Sequence, residues 1–339
     1  MQLGLIARCD QSGLGIQSWE FARHLLPDRV LLIGMGNLAR GRSHPDWYDG
    51  LDVMHAGVQV DNDAAAQFID GLDVVFAMEG TYRDGFGDEV TAAGGRLIVQ
   101  ANPELYAPDV LGAHAVVFPT GWETDRYDSP TVLPVPVASD RLVYQERDEV
   151  EAFIHVVAPA MADRNGTDLV LKALSHVTQD CHVVFHVPEG VTSRLKILRT
   201  SHGQIGHVSY SCPRKPVEHY WDIYGGADAL LIPRRYGGLS LPMQEAGALG
   251  LPIIALDVAP QAGRGGVLTV PASDPEPMDM KGGTFDVWSC DPIELAFTMD
   301  RLVKDKALAR KLSRAARDTA ALLHWDRLLP LYERTLATS

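Results

Sequence analysis

The sequence predicts an α/β protein made of two doubly wound parallel sheets. Three observations carry that expectation. Short apolar runs alternate with helical patterns along the chain, as in a parallel sheet covered on both faces. The alternation breaks once, at the proline-punctuated segment Val132 to Leu142 and the charged stretch Gln145 to Glu151, and then restarts. The length, 339 residues, allows each half its own core.

In the first half the apolar runs place strands at Leu3–Ala7, Val30–Met35, Leu51–His55, Leu72–Met78, Arg96–Gln100, Ala115–Phe118 and Thr131–Val135. Helices are expected at Ile16–Leu26, Asn62–Asp70 and Phe86–Ala93. In the second half strands are expected at Phe153–Ala158, His182–Val187, Ile205–Tyr210, Ala229–Ile232, Pro252–Leu256 and Val267–Val270. Helices are expected at Gly166–His176, Pro216–Tyr224 and Leu241–Leu249, and the tail from Asp291 to Thr338 is helical in pattern. The expected divisions are residues 1–142, 143–315 and 316–339.

Apolar residues make up 46% and charged residues 22% of the chain, the composition of a globular protein in water. Forty-four acidic against 30 basic residues give a net charge of −14, which argues against a surface that coats nucleic acid. The basic run Arg301 to Arg317 reads as a solvated helix face. The four cysteines have no C-x-x-C spacing, which points away from disulfides and zinc and fits a reducing cytoplasm. The N-terminus reads as a strand rather than a signal peptide, and no run has the apolar length of a membrane span.

The most informative stretch is Tyr236 to Asp257, YGGLSLPMQEAGALGLPIIALD. Gly237 and Gly238 allow the backbone to approach a ligand closely, and Leu239 and Ser240 lead into a helix with a proline in its first turn. A helix N-terminus with free amides is a ready anion site. Glu245, one turn in, is placed to accept hydrogen bonds from ribose hydroxyls. Just before it, Arg234 and Arg235 at a strand end can neutralise a diphosphate, since guanidinium binds phosphate as a fork and keeps its charge. The bland alternative is a plain strand–turn–helix with a capping or surface glutamate.

This stretch resembles the nucleotide-sugar signature of the two-domain (GT-B) glycosyltransferases, most closely the retaining family 4 type. That family carries two glutamates separated by seven residues. Leu241-Pro242, Glu245-Ala246, Gly250 and Pro252 match; Glu245 is the second glutamate, and Gly237 stands where the first is expected. The resemblance implies two Rossmann-like domains facing a central cleft, with the C-terminal helices crossing back to the N-terminal domain. It implies a nucleoside-diphosphate sugar as donor, a hydroxyl acceptor, and no cofactor or bound metal. In the segment Ala158 to Leu169 the family's phosphate-binding arginine and lysine fall on Ala160 and Asn165, leaving Arg164 as a substitute and Asn165 and Thr167 as hydrogen-bond donors. In Ser211 to Lys215 the resemblance implies a loop that holds the nucleotide base through backbone groups, with Lys215 either reaching phosphate or, as the plain alternative, solvated. RNGTDLVLKAL and PRRYGGLSLPMQEA also resemble a variant among sequences of actinobacteria and their viruses.

A second glycine loop follows the first strand: Asp10-Gln11-Ser12-Gly13-Leu14-Gly15-Ile16-Gln17-Ser18. The strand–Gly-x-Gly–helix order is that of a dinucleotide fingerprint, but Ser18 replaces its third glycine. The resemblance implies instead a cleft-side loop in which Gly13, Leu14, Gly15 and Gln17 lie near donor phosphates or acceptor; a tight turn is the plain alternative. Trp19 reads as core. Glu79, Asp10 and Glu104 each follow a predicted strand and are candidates for a base that takes the acceptor proton. Resemblance to the retaining group implies that the departing phosphate oxygen takes it instead. Asp61-Asn62-Asp63 reads as a helix cap, and the twelve histidines show no ligand spacing.

These readings converge on a glycosyltransferase acting on a small molecule, glycan or lipid head group. A hydroxylated base in DNA is the alternative acceptor. A sugar-nucleotide-binding protein without turnover and an NAD-dependent oxidoreductase are the other readings.

Overall fold

The computed structural model describes residues 1–36, 43–105, 112–137, 140–158, 163–188, 200–213 and 217–338. Two compact units form. The first takes Met1–Pro136, Asp279–Gly283 and Trp325–Ser339; the second takes Val137–Met278 and Thr284–His324. The contacts divide at 136/137 and 324/325, where the expected cuts are 142/143 and 315/316.

In the first unit the elements run β1 (Leu3–Arg8), α1 (Gly13–Leu25), β2 (Arg29–Ile33), β3 (Val53–Ala56), α2 (Asn62–Ile69), β4 (Val74–Met78), α3 (Phe86–Ala92), β5 (Arg96–Gln100), β6 (Ala115–Phe118) and β7 (Thr131–Val132). The strands pair in the order β3-β2-β1-β4-β5-β6-β7, all parallel. Every residue of β4 is buried, which is why VVFAM carries no polar alternation. One face is covered by Phe68, Phe86 and Val90 against Ile6, Leu31 and Val75. Asp61 caps α2 by accepting from Ala64 N at 2.8 Å, the role expected of it.

In the second unit the order is β8 (Ala152–Val156), α4 (Thr167–Ala173), β9 (Cys181–His186), β10 (His202–Ile205), β11 (Val208–Ser211), β12 (Ala229–Leu231), α5 (Leu241–Leu249), β13 (Ile253–Leu256), β14 (Val267–Val270), the hairpin β15 (Glu276–Met280) and β16 (Gly283–Val287), α6 (Pro292–Lys304) and α7 (Lys306–Ala320). Its main sheet runs β10-β11-β9-β8-β12-β13-β14. Helix α5 lies close against α7, with Gly247 facing the Ala316 carbonyl and Ala320. The last helix, α8 (Trp325–Thr338), belongs to the first unit. There Trp325 and Tyr332 meet Phe21 of α1 edge-on, at 5.3 and 4.9 Å, and cover the second face of that sheet.

The pattern missed three features. The single strand expected at Ile205–Tyr210 is an antiparallel hairpin turning at Gly206-His207, where Gly206 has φ 56°. The helix expected at Pro216–Tyr224 is a 3-10 turn over Tyr220–Tyr224, with 214–216 outside the described residues. The hairpin β15–β16 is mostly exposed and so carries no apolar run to announce it. Trp19, expected in the core, is half-buried and stacks on Trp47 at 4.5 Å.

Strand order places the sites. In the first sheet the chain leaves β1 toward β2 and later returns to add β4 on its other side. In the second it leaves β8 toward β9 and returns with β12. Loops at the carboxyl ends of such strands diverge to opposite faces and open a crevice, the usual ligand position in a doubly wound sheet.

Candidate functional site

In the second unit the crevice lies between the ends of β8 and β12. The loop after β8 brings Asp163, Arg164, Asn165 and Gly166; the loop after β12 brings Arg234 through Ser240. Backbone bonds join them: Arg235 N donates to the Arg164 carbonyl at 2.9 Å. Gly166 sits at φ 71°, and a Cβ there would collide with the Pro233 carbonyl, so only glycine permits the approach. Behind this junction His155 is fully buried on β8. One ring nitrogen bonds the Leu231 carbonyl at 2.7 Å and the other the Thr167 hydroxyl at 2.9 Å. Burial drives its pKa down to about 4, so the ring is neutral: Nδ1–H donates to Leu231 and Nε2 accepts from Thr167.

The polar residues here are tied to one another. Asn165 is 5% exposed; its Nδ2 donates to the Val156 carbonyl at 2.8 Å and its Oδ1 faces Arg234 Nη1 at 3.4 Å. Thr167 serves His155. Both therefore hold the loop, where the sequence offered them as donors to a ligand. Arg234 is 3% exposed and its carbonyl accepts from Gln261. Arg235 Nη2 pairs with Asp168 at 2.7 Å and lies 3.6 Å from Asp163. Arg164 lies over the Tyr236 ring at 5.9 Å. Burial, then the hydrogen bond with Asp168, lifts the Asp163 carboxyl to about 6. Burial pushes Asp168 the same way, but the hydrogen bond from Asp163 and the charge of Arg235 overrule it and hold that carboxylate below its ordinary value.

The glycine loop turns at Gly237, φ 98°, and runs buried through Gly238, Leu239 and Ser240 into α5. Ser240 is the N-cap, yet its Oγ is buried without a hydrogen-bond partner. Glu245 is 6% exposed, and the buried Tyr224 hydroxyl donates to its Oε2 at 2.5 Å. Burial, then the adjacent carboxylate, raises Tyr224 well above its ordinary pKa, so the phenol remains a donor. Nothing in the sequence pattern singled out Tyr224 or His155. Lys215 lies outside the described residues.

In the first unit the crevice lies between the ends of β1 and β4. Asp10, 2% exposed, accepts from Arg8 Nη2 and Ser12 Oγ, both at 2.5 Å. Burial opposes the charge on Arg8, while Asp10 and Tyr82 overrule it and raise its pKa. Gly13 and Leu14 open α1, and Ser12 Oγ accepts from Gly15 N at 3.1 Å. At Gly15 a Cβ would collide with the Asp10 carbonyl and crowd its Oδ1. Gln17 turns back to donate to Gly13 O at 3.2 Å. A carboxylate thus already sits against the start of α1, where a dinucleotide phosphate would have to lie. Glu79, just past β4, adopts φ 62° and accepts from Asn102 Nδ2. Glu104, 1% exposed, follows β5. Asp10 and Glu79 therefore end neighbouring strands, while Asp10 is held by Arg8 and Ser12.

Among the described residues no group of three or more His, Cys, Asp or Glu is arranged to hold a metal ion, and no helix is long and apolar enough to cross a membrane.

Residues 142–280 match the family model for glycosyl transferases group 1, a stretch that contains the entire β8/β12 crevice. A D-inositol 3-phosphate glycosyltransferase of Xylanimonas cellulosilytica is 26% identical over 250 residues, covering 70% of this chain and 56% of that protein. The chain thus spans about half the length of this curated relative. HepE of Anabaena, solved with UDP, superposes with a TM-score of 0.66 at 12% identity over 100% of both chains. Sucrose-phosphate synthase of Thermosynechococcus elongatus superposes with a TM-score of 0.67 at 14% identity, covering 99% of this chain and 100% of that one. At these identities the likeness establishes the fold, which is GT-B.

Proposed function

We infer that this chain is a glycosyltransferase that moves a sugar from a nucleoside-diphosphate donor to a hydroxyl acceptor. The carrying observation is the convergence at the β8/β12 crevice of a glycine turn, the start of α5 and Arg234, Arg235 and Arg164, all within the stretch that matches group 1 glycosyl transferases. The anionic diphosphate finds backbone amides, a positive helix end and guanidinium groups there. Glu245 receives the ribose hydroxyls, with Tyr224 holding one of its oxygens. UDP is the first nucleotide to test, because HepE was solved with UDP and with UDP-glucose.

In the reaction the bond from the anomeric carbon to the β-phosphate oxygen breaks and a bond to the acceptor oxygen forms. The acceptor proton passes to the departing phosphate oxygen, and nucleoside diphosphate leaves. Stabilising charge on that leaving group is the chief task of the site. Proton transfer to the leaving group on the same face corresponds to retention at the anomeric carbon, and the arginines and helix end supply the neutralising charge. Glu79 and Asp10 are the acceptor-side carboxylates, with Glu79 the more accessible.

The test is a thermal-shift series with UDP-, GDP-, ADP- and TDP-sugars and NAD as control. One nucleotide sugar raises the melting temperature. Glu245→Ala, which removes charge-assisted bonds to ribose, weakens that binding about 100-fold. A shift with NAD alone, or with none of the donors, overturns the reading. Binding without release of nucleoside diphosphate would mark a protein that binds the donor and does not turn it over.

A further inference from the structure

At the end of β5 one side chain has a group left over. Asn102 is 8% exposed, and its Nδ2 donates to Glu79 Oε1. Turned the other way, the amide would set its carbonyl oxygen against a carboxylate, so Glu79 fixes its orientation. Asn102 Oδ1 is then buried with no hydrogen-bond partner. Buried carbonyl oxygens are nearly always bonded, so this one is open to a donor from outside the chain.

The surroundings narrow what that ligand carries. Asp10, Glu79 and Glu104 end the neighbouring strands β1, β4 and β5. Of the described cations nearby, Lys281 is exposed on the turn whose Gly282 packs on Pro103 and Glu104, and Arg8 is engaged with Asp10 and Tyr82. Arg83 is engaged with Glu89, Asn62 and the Val60 carbonyl. A phosphate has almost no hydrogens to offer at neutral pH and would face carboxylates. Hydroxyl and ammonium groups offer the hydrogens that Asn102 Oδ1 and Glu79 accept.

We propose that Asn102 Oδ1 and Glu79 together receive a hydrogen-bond-donating part of the acceptor, either sugar or polyol hydroxyls or an amino-sugar ammonium, and that the acceptor presents no phosphate there. This rests on the transferase reading and narrows its acceptor. It separates this chain from the relative whose name specifies inositol 3-phosphate, and it favours a small saccharide or polyol over DNA, whose backbone is phosphate.

The experiment uses the full chain and the nucleotide sugar that gives the largest thermal shift. Release of nucleoside diphosphate is followed with myo-inositol, glucose, glucosamine, inositol 3-phosphate, glucose 6-phosphate and a duplex containing 5-hydroxymethylcytosine. A neutral or amino acceptor should exceed its phosphorylated counterpart at least tenfold in kcat/KM. Asn102→Ala should raise the KM for that acceptor about tenfold, with the donor-induced shift reporting an intact fold. Asn102→Asp separates the two sources: the added carboxylate weakens a hydroxyl acceptor and strengthens an ammonium one. Preference for a phosphorylated acceptor or for the duplex, use of none of the panel, or an unchanged KM in Asn102→Ala overturns the proposal. Absence of any donor shift overturns the transferase reading instead, so the two failures are told apart.

Discussion

The two crevices are built on one plan and filled with opposite chemistry. Each lies where a parallel sheet reverses its strand order, between β1 and β4 in one unit and between β8 and β12 in the other. Each is tightened by a glycine at the start of the first helix, Gly15 against Asp10 and Gly166 against Pro233. At β8/β12 the loops deliver Arg164, Arg234 and Arg235 beside the start of α5. At β1/β4 a carboxylate, Asp10, lies against the start of α1, and Glu79 stands at the end of the next strand. The shared topology supplies a place to bind; the side chains at the strand ends decide that one place suits an anion and the other a donor of hydrogen bonds.

The first way to break this comparison is Gly15→Ala. The new methyl would meet the Asp10 carbonyl, which is backbone and cannot move aside without disturbing the end of β1. A loss of about 3 kcal/mol or more is expected, seen as failure to fold or a large fall in urea midpoint. If Gly15→Ala folds normally, the closed description of the β1/β4 loop is wrong.

Next is the neutral histidine beneath the β8/β12 loops. The folded pKa of His155 is about 4 against 6.5 unfolded. Between those values the unfolded chain binds a proton that the folded chain refuses, so stability present above pH 6.5 is lost as pH falls toward 4. The full effect is about 3 kcal/mol. His155→Gln can keep both hydrogen bonds and cannot titrate. Urea unfolding from pH 7.5 to 4.5 should show a steeper fall in the wild type, by about one proton near the middle of the window. Equal slopes would mean that the ring is already charged or exposed in the native state.

These two positions also show how much the sequence made legible. The most buried parallel strands, β4 and β12, were readable because complete burial writes itself as VVFAM or ALL, with no polar residue to interrupt it. Helix α5 was readable from Pro242 to Gly250 because its start and stop residues are sterically required. The hairpins β10–β11 and β15–β16 were not, since edge and exposed strands have no such run. For the candidate sites, glycines and arginines announced themselves through spacing. Residues that act through long-range contact did not: Tyr224 reaches Glu245 across 21 positions, and Asn102 reaches Glu79 across 23. Only the folded chain brings them together.

A smaller effect sharpens the donor side. Tyr224→Phe removes the hydroxyl at 2.5 Å from Glu245 and leaves the ring in place. The carboxylate then loses the bond from Tyr224 to its Oε2. The KM for the nucleotide sugar should rise about tenfold with kcat nearly unchanged, because ribose binding contributes equally to the ground and transition states. A fall in kcat at constant KM would place Tyr224 in the chemical step and contradict its role as a support.

The smallest effect tests whether the acids at β8/β12 restrain its arginines. The Asp163 carboxyl is raised to about 6, against an ordinary value of 3.8. Between those values the folded chain holds a proton that the unfolded chain has released, so stability falls as pH rises through that window, opposite in sign to His155. Asparagine imitates the protonated form and tolerates the φ of 70° found at this position. Asp163→Asn should match the wild type near pH 4 and exceed it by about 1 kcal/mol at pH 7.5, the size expected for a partly exposed pair. It also removes a negative charge 3.6 Å from Arg235, so the diphosphate of the donor should bind several-fold more tightly at pH 7.5. The competing possibility is that Asp163 matters chiefly as the acceptor for Asp168 N at 3.0 Å, which orders the start of α4. In that case affinity drops and the gain in stability vanishes together. Donor titration and urea unfolding of the same variant at pH 7.5 decide between an acid that moderates the arginines and one that shapes the loop.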